Sequence, residues 1–91
     1  MGAIFETIQH KLTVAFEPAR LEVVDDSARH AGHAGAGPGS ETHFNVLIES
    51  RAFLGKPKLD RQRMVYRILA EELAGPLHAL SVRALAPGES S

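Results

Sequence analysis

The sequence predicts an α+β fold, a small mixed three-stranded sheet with helices packed on one face. Three observations carry that expectation. Ile4, Phe5, Ile8, Leu12, Ala15 and Phe16 recur at the spacing of one helical stripe. From Thr42 to Ser50 the pattern changes to strict alternation. Phe44, Val46 and Ile48 fall on one face, and His43, Asn45, Leu47 and Glu49 on the other, as in a half-buried strand. A second helical stripe of Met64, Val65, Ile68, Leu69 and Leu73 then separates that strand from a last alternation of Leu80, Val82 and Ala84.

Taken in order, the first helix stops at Pro18, which cannot continue it. Leu21, Val23 and Val24 suit a strand that ends at Asp25-Asp26-Ser27. Residues 28–41 contain Gly32, Gly35, Gly37, Pro38 and Gly39, the composition of a flexible loop. The first two strands should pair as an antiparallel hairpin around it. Gly55-Lys56-Pro57 marks the next turn, and Asp60 is positioned to cap the helix that follows. Gly75-Pro76 ends that helix, with Gly75 in the position after its last turn. Pro76-Leu77-His78-Ala79 reads as one short helical turn before the last strand. Residues 86–91 read as a frayed tail. Strand, helix and strand in succession form a crossover unit, which favours parallel, right-handed pairing of the last two strands.

Composition narrows the functional classes. Ninety-one residues, 44% hydrophobic and 23% charged, make one small domain spanning 1–91. The formal net charge of −1 gives no global attraction to nucleic acid or membrane. Locally the balance differs. Arg51, Lys56, Lys58, Arg61, Arg63 and Arg67, six of the ten basic residues, face only Asp60, a local excess of five positive charges. Cysteine is absent, so disulfides and a self-contained thiolate metal site are excluded. Glu6, His10 and Lys11 interrupt any apolar leader. No apolar run approaches the roughly 20 residues that span a bilayer. The expectation is a soluble, cytoplasmic protein without a membrane partner.

Two groups of residues carry possible chemistry. Arg61 and Arg63 near a helix start oppose the helix dipole unless they hold an anion there. With Lys56, Lys58 and Arg67 they form a candidate nucleic-acid-binding set; a solvated turn whose long side chains cover apolar surface is the alternative. Four phenylalanines and one tyrosine, mostly on core stripes, argue against base stacking. The other group is the histidines. His30 and His33 lie in the loop, His43 opens the second strand and His78 follows Gly75-Pro76. No pair has the tight spacing of a zinc motif. Taken singly, each also reads as exposed or bonded to backbone, and His10 does so on the first helix. Two histidines completed by a partner's thiolates are chemically reasonable, because mixed His/Cys ligation occurs in iron–sulfur centres. Ser40, His43 and Asp25 match no triad motif, and GKPK lacks phosphate-loop spacing, so an enzyme is not expected.

The phrases SETHFNVLIES, FLGKPKLDRQRMVYRILAEEL and GPLHAL, with LEVVDDS and the loop histidines, resemble the BolA family over roughly Ile4 to Pro87. The resemblance implies an αββααβ fold similar to class II KH domains, although GKPK does not restore the GxxG loop of RNA-binding members. It implies a monothiol glutaredoxin as partner and a [2Fe–2S] cluster shared with the glutaredoxin and its glutathione. The expectation is that the isolated chain binds none and is a monomer or weak dimer when free. The family's C-terminal histidine matches His78. Its loop ligand, His or Cys, matches His33, with His30 as the reserve. Such an adaptor would serve iron–sulfur and iron homeostasis. The resemblance equally implies an alternative, a regulator of transcription in stress response and morphology that binds double-stranded DNA through the basic helix start. Here that start reads Arg61-Gln62-Arg63, where members often carry Arg-His-Arg.

Overall fold

In the computed structural model, residues 3–25, 43–75 and 77–89 are described. Helix α1 spans Ala3–Phe16, strand β1 Arg20–Asp25 and strand β2 His43–Glu49. A single 3-10 turn, Arg51–Phe53, leads to helix α2 at Lys58–Ile68 and helix α3 at Ala70–Ala74, and strand β3 spans Ala79–Leu85. The sheet order is β1-β2-β3, with β1 antiparallel and β3 parallel to the central strand. This is the expected α+β arrangement.

The alternation of β2 explains the layering. Phe44, Val46 and Ile48 are buried, while His43, Asn45, Leu47 and Glu49 are only half-buried. The buried face meets Ile8, Leu12 and Phe16 of α1 and Val65 of α2, together with Leu69, Leu77 and Leu80, in one core. Each such side chain contributes about 1.5–3 kcal/mol by leaving water, which decides the face on which the helices settle. Ala15 does not join them. It is exposed, one position off the stripe that Ile8, Leu12 and Phe16 complete.

Several local expectations are corrected. Asp60 does not cap α2. The helix begins at Lys58 behind Pro57, which makes no side-chain cap bond, and Asp60 lies inside the first turn. The backbone rather than a cap sets this start. Proline presets its own φ, and the preceding 3-10 turn is closed by bonds from Phe53 N to the Ser50 carbonyl and from Lys56 N to the Phe53 carbonyl. The long helix also divides at Leu69, whose φ of −101° and ψ of 21° leave the helical region. The short helix is therefore α3, before Gly75, and Leu77-His78 is a non-helical approach to β3. Gly75 closes α3 with a negative φ of −121°, not the left-handed cap. Its N–H and that of Leu77 both reach the Glu72 carbonyl.

The expected frayed tail from Ala86 is corrected as well. Ala86 is buried, Gly88 adopts a φ of +89°, and the Glu89 N–H donates to the Ala86 carbonyl at 3.1 Å. The Pro87-Gly88 dipeptide is the turn signal that marks this closure in the sequence. Ser50 secures the same end of the sheet, where β2 finishes beside β3. Its buried hydroxyl donates to the Phe16 carbonyl at 2.7 Å and accepts from Ala52 N.

Candidate functional site

Topology brings the histidine segments to one end of the sheet. Because β2 and β3 are parallel and His43 pairs with Ala79, both strands start at that end, and His78 stands one residue before β3. Strand β1 finishes there too, with Asp25 opposite Phe44. Asp25 and His43, the described residues on either side of positions 26–42, therefore both stand at the end where His78 enters. His78 is exposed and His43 is half-buried. His30 and His33 lie outside the described residues. Among the described residues no three His, Asp or Glu side chains stand together in a metal-binding group.

The basic residues divide between two faces of α2. Arg63 and Arg67, four apart, share one face with Met64 and border a shallow cavity of about 400 Å³ with Lys56 and Asp60. Lys58 and Arg61 line a different cavity, of about 680 Å³, against β3. Lys56, Lys58, Arg63 and Arg67 are exposed, but Arg61 is not. Its neighbours account for the burial of Arg61. Its Nε donates to the Lys56 carbonyl at 2.8 Å and its Nη1 to the Ala84 carbonyl at 3.0 Å. Both terminal nitrogens bind the Glu89 carboxylate, Nη2 at 2.9 Å. A guanidinium offers five N–H donors in a planar fork. The Glu89 carboxylate, on the returning chain, takes two of the four bonds this one makes, and sequence spacing gives no sign of the 28-residue pairing. Arg83 and Glu89 are the residues at this site that sequence reading missed.

Those hydrogen bonds from Arg61, then the Ala86 N–H and the nearby Lys58 charge, hold the Glu89 carboxyl down to about 2 from an ordinary 4.5. A depressed carboxyl contributes stability that is present above pH 4.5 and lost as pH falls through 4.5 toward 2. The Glu89 side chain is 42% exposed, so solvent screening makes the contribution smaller than the shift alone suggests. Urea unfolding of the parent and of Glu89→Gln as a function of pH checks this. The parent is expected to be the more stable at pH 7, and the gap to close progressively below pH 4.5. A gap independent of pH would contradict the ionic account.

Comparison with known protein families matches residues 12–89 to BolA, the BolA-like proteins. The chain belongs to the BolA-like family. The fold agrees. The solved BolA domain of SufE1 from Arabidopsis thaliana superposes with a TM-score of 0.88 at 41% identity, covering 99% of both chains. In sequence, the chain is 48% identical over 93 residues to SufE-like protein 1, chloroplastic/mitochondrial, of Arabidopsis thaliana. That match covers 98% of this chain and 25% of the relative, so the chain spans a quarter of that protein's length. The DNA-binding transcriptional regulator BolA of Escherichia coli (strain K12) is 49% identical over 79 residues, covering 87% of this chain and 71% of that protein. Within this BolA-like chain, no described helix is long and apolar enough to cross a membrane.

Proposed function

We propose that this BolA-like chain is a non-enzymatic adaptor that binds a monothiol glutaredoxin and contributes histidine ligands to a shared [2Fe–2S] cluster. His78 is the leading ligand, with His33 as the second and His30 as its reserve. The observation that carries the reading is the parallel register of β2 and β3. It sets exposed His78 at the sheet end where β1 finishes at Asp25 and β2 begins at His43. An exposed imidazole offers a nitrogen to a metal without disturbing the core. The described residues provide no complete ligand set, and the reading assigns the sulfur donors to the glutaredoxin and glutathione. The test is titration of this protein into glutathione-ligated, cluster-loaded monothiol glutaredoxin, followed by visible absorption and circular dichroism. A saturable spectral change is expected, and none at high protein would overturn the reading.

A second reading, a transcriptional regulator that binds double-stranded DNA, is favoured by the arrangement of Lys56, Arg63 and Arg67 around one cavity. The E. coli relative described above carries that role in its name. The structure divides the expected set, leaving Lys58 on the other face and Arg61 committed to Glu89. Arg63→Ala is expected to weaken binding to all duplex sequences alike and to reduce the slope of log K against log salt by about one. Unchanged affinity and slope would remove Arg63 from the interface.

A further inference from the structure

The second cationic cavity is absorbed by neither reading. It lies between the start of α2, strand β3 and the Ala86–Glu89 turn, and its volume is about 680 Å³. Lys58, Arg61 and Arg83 line it, with Gln62 as a neutral donor and Glu89 as its only acid among the described residues. Three cations against one carboxylate leave an excess of two positive charges. The Arg61 side chain is only 7% exposed, so its guanidinium forms the inner wall, while Glu89 at 42% stands nearer the mouth. The site thus already holds an anion, supplied by the chain itself. The paired N–H groups that grip a carboxylate fit two phosphate oxygens equally well. Glu89 is carried on a short turn held by its own N–H and by the Ala86 N–H to its Oε1 at 3.0 Å.

We propose that this cavity is a phosphate-binding site, with Lys58, Arg61 and Arg83 as its cations, and that the Glu89 carboxylate is a built-in competitor for Arg61. An incoming phosphate is drawn by Lys58 and Arg83, which have no carboxylate bonded to them among the described ion pairs, and displaces Glu89 from the buried guanidinium. The Ala86–Glu89 turn then swings outward. The phosphate belongs either to a small phosphomonoester or to a nucleic-acid backbone. The inference does not depend on the glutaredoxin reading and stands or falls separately from it.

The test is a backbone amide NMR titration of the whole chain with inorganic phosphate, at constant ionic strength with chloride as the reference. Saturable shifts are expected for Lys58–Gln62, Arg83–Ala86, Gly88 and Glu89. Glu89→Gln, which removes the competing charge and keeps the side chain's size, should tighten binding roughly fivefold or more. Arg83→Gln, an exposed substitution that leaves the Arg61 contacts in place, should weaken it by a similar factor. Shifts that never saturate, that lie elsewhere, or that ignore both substitutions would overturn the proposal. A second arm replaces phosphate by a short DNA duplex. Shifts of the same amides that phosphate competes away identify a backbone phosphate as the source. Shifts with phosphate and not with duplex identify a small phosphomonoester.

Discussion

Substituting His78 with alanine is expected to abolish most of the cluster signal that this chain induces in a glutaredoxin complex, without loosening the fold. Changing even the outer partners of a metal site typically costs 10–100-fold in affinity. Loss of a direct ligand should cost at least about tenfold in cluster retention on the same scale. The fold should be indifferent, because His78 is exposed and precedes the first residue of β3. An exposed substitution clear of such features usually changes stability by no more than about 0.5 kcal/mol. His10→Ala is the matched control, an exposed histidine on α1. The measurement is visible circular dichroism of the loaded complex, alongside thermal unfolding of each variant alone. If His78→Ala and His10→Ala gave the same spectrum, His78 would be no ligand. If both variants lost the signal in proportion to lost stability, the effect would be structural. Only selective loss in His78→Ala supports ligation.

Replacing Phe53 with alanine should give the largest loss of stability. Phe53 has no solvent exposure, and its ring lies 5.1 Å from that of Phe16, centroid to centroid. Phe→Ala in a core costs about 3–5 kcal/mol, part of it from the cavity left behind. Offset or tilted aromatic pairs add about 0.5–1.5 kcal/mol beyond buried area. Small domains have only about 5–15 kcal/mol in total, so the melting temperature should fall by more than about 10 °C. Leu54→Ala, one residue away but 55% exposed, should leave it nearly unchanged. A mild effect of Phe53→Ala would mean that the 3-10 turn is not anchored by this ring. The consequence reaches the functional surface. The same turn delivers Lys56 and sets where α2 begins, so a loosened Phe53 should also blur the placement of Arg63 and Arg67.

How far the site was legible in the sequence follows from the range of each interaction. The alternation of Phe44, Val46 and Ile48 needs only period-2 geometry, and it correctly oriented β2. Crossover logic supplied the parallel pairing with β3, and thereby the meeting of the His78 and His43 segments. The basic run was equally visible, yet its division was not. Arg61 and Arg63 are two residues apart, and helical geometry turns them to different faces. The fate of Arg61 then depends on Glu89, which arrives from beyond β3. The buried turn at Phe53 was hidden for a related reason. One aromatic among Arg51, Ala52 and Leu54 has no periodicity, and only the Phe16 ring and the core behind it mark that position as internal.

By itself, then, the sequence determined the fold class, the succession of first helix, two strands, long helix and last strand, the inward faces of α1, β2 and β3, and the absence of any thiolate of its own. These rest on backbone periodicity, turn chemistry and composition, which act within a few residues. Tertiary structure alone decided that Asp60 does not cap α2, that Ala86–Glu89 closes into a turn, and that Arg61 belongs to a carboxylate 28 residues away. It also decided that the cations of one short segment serve two separate cavities. A charged side chain's role is set by which opposite charge and which carbonyls come within about 3 Å of it, and chain folding, not sequence spacing, brings those groups together.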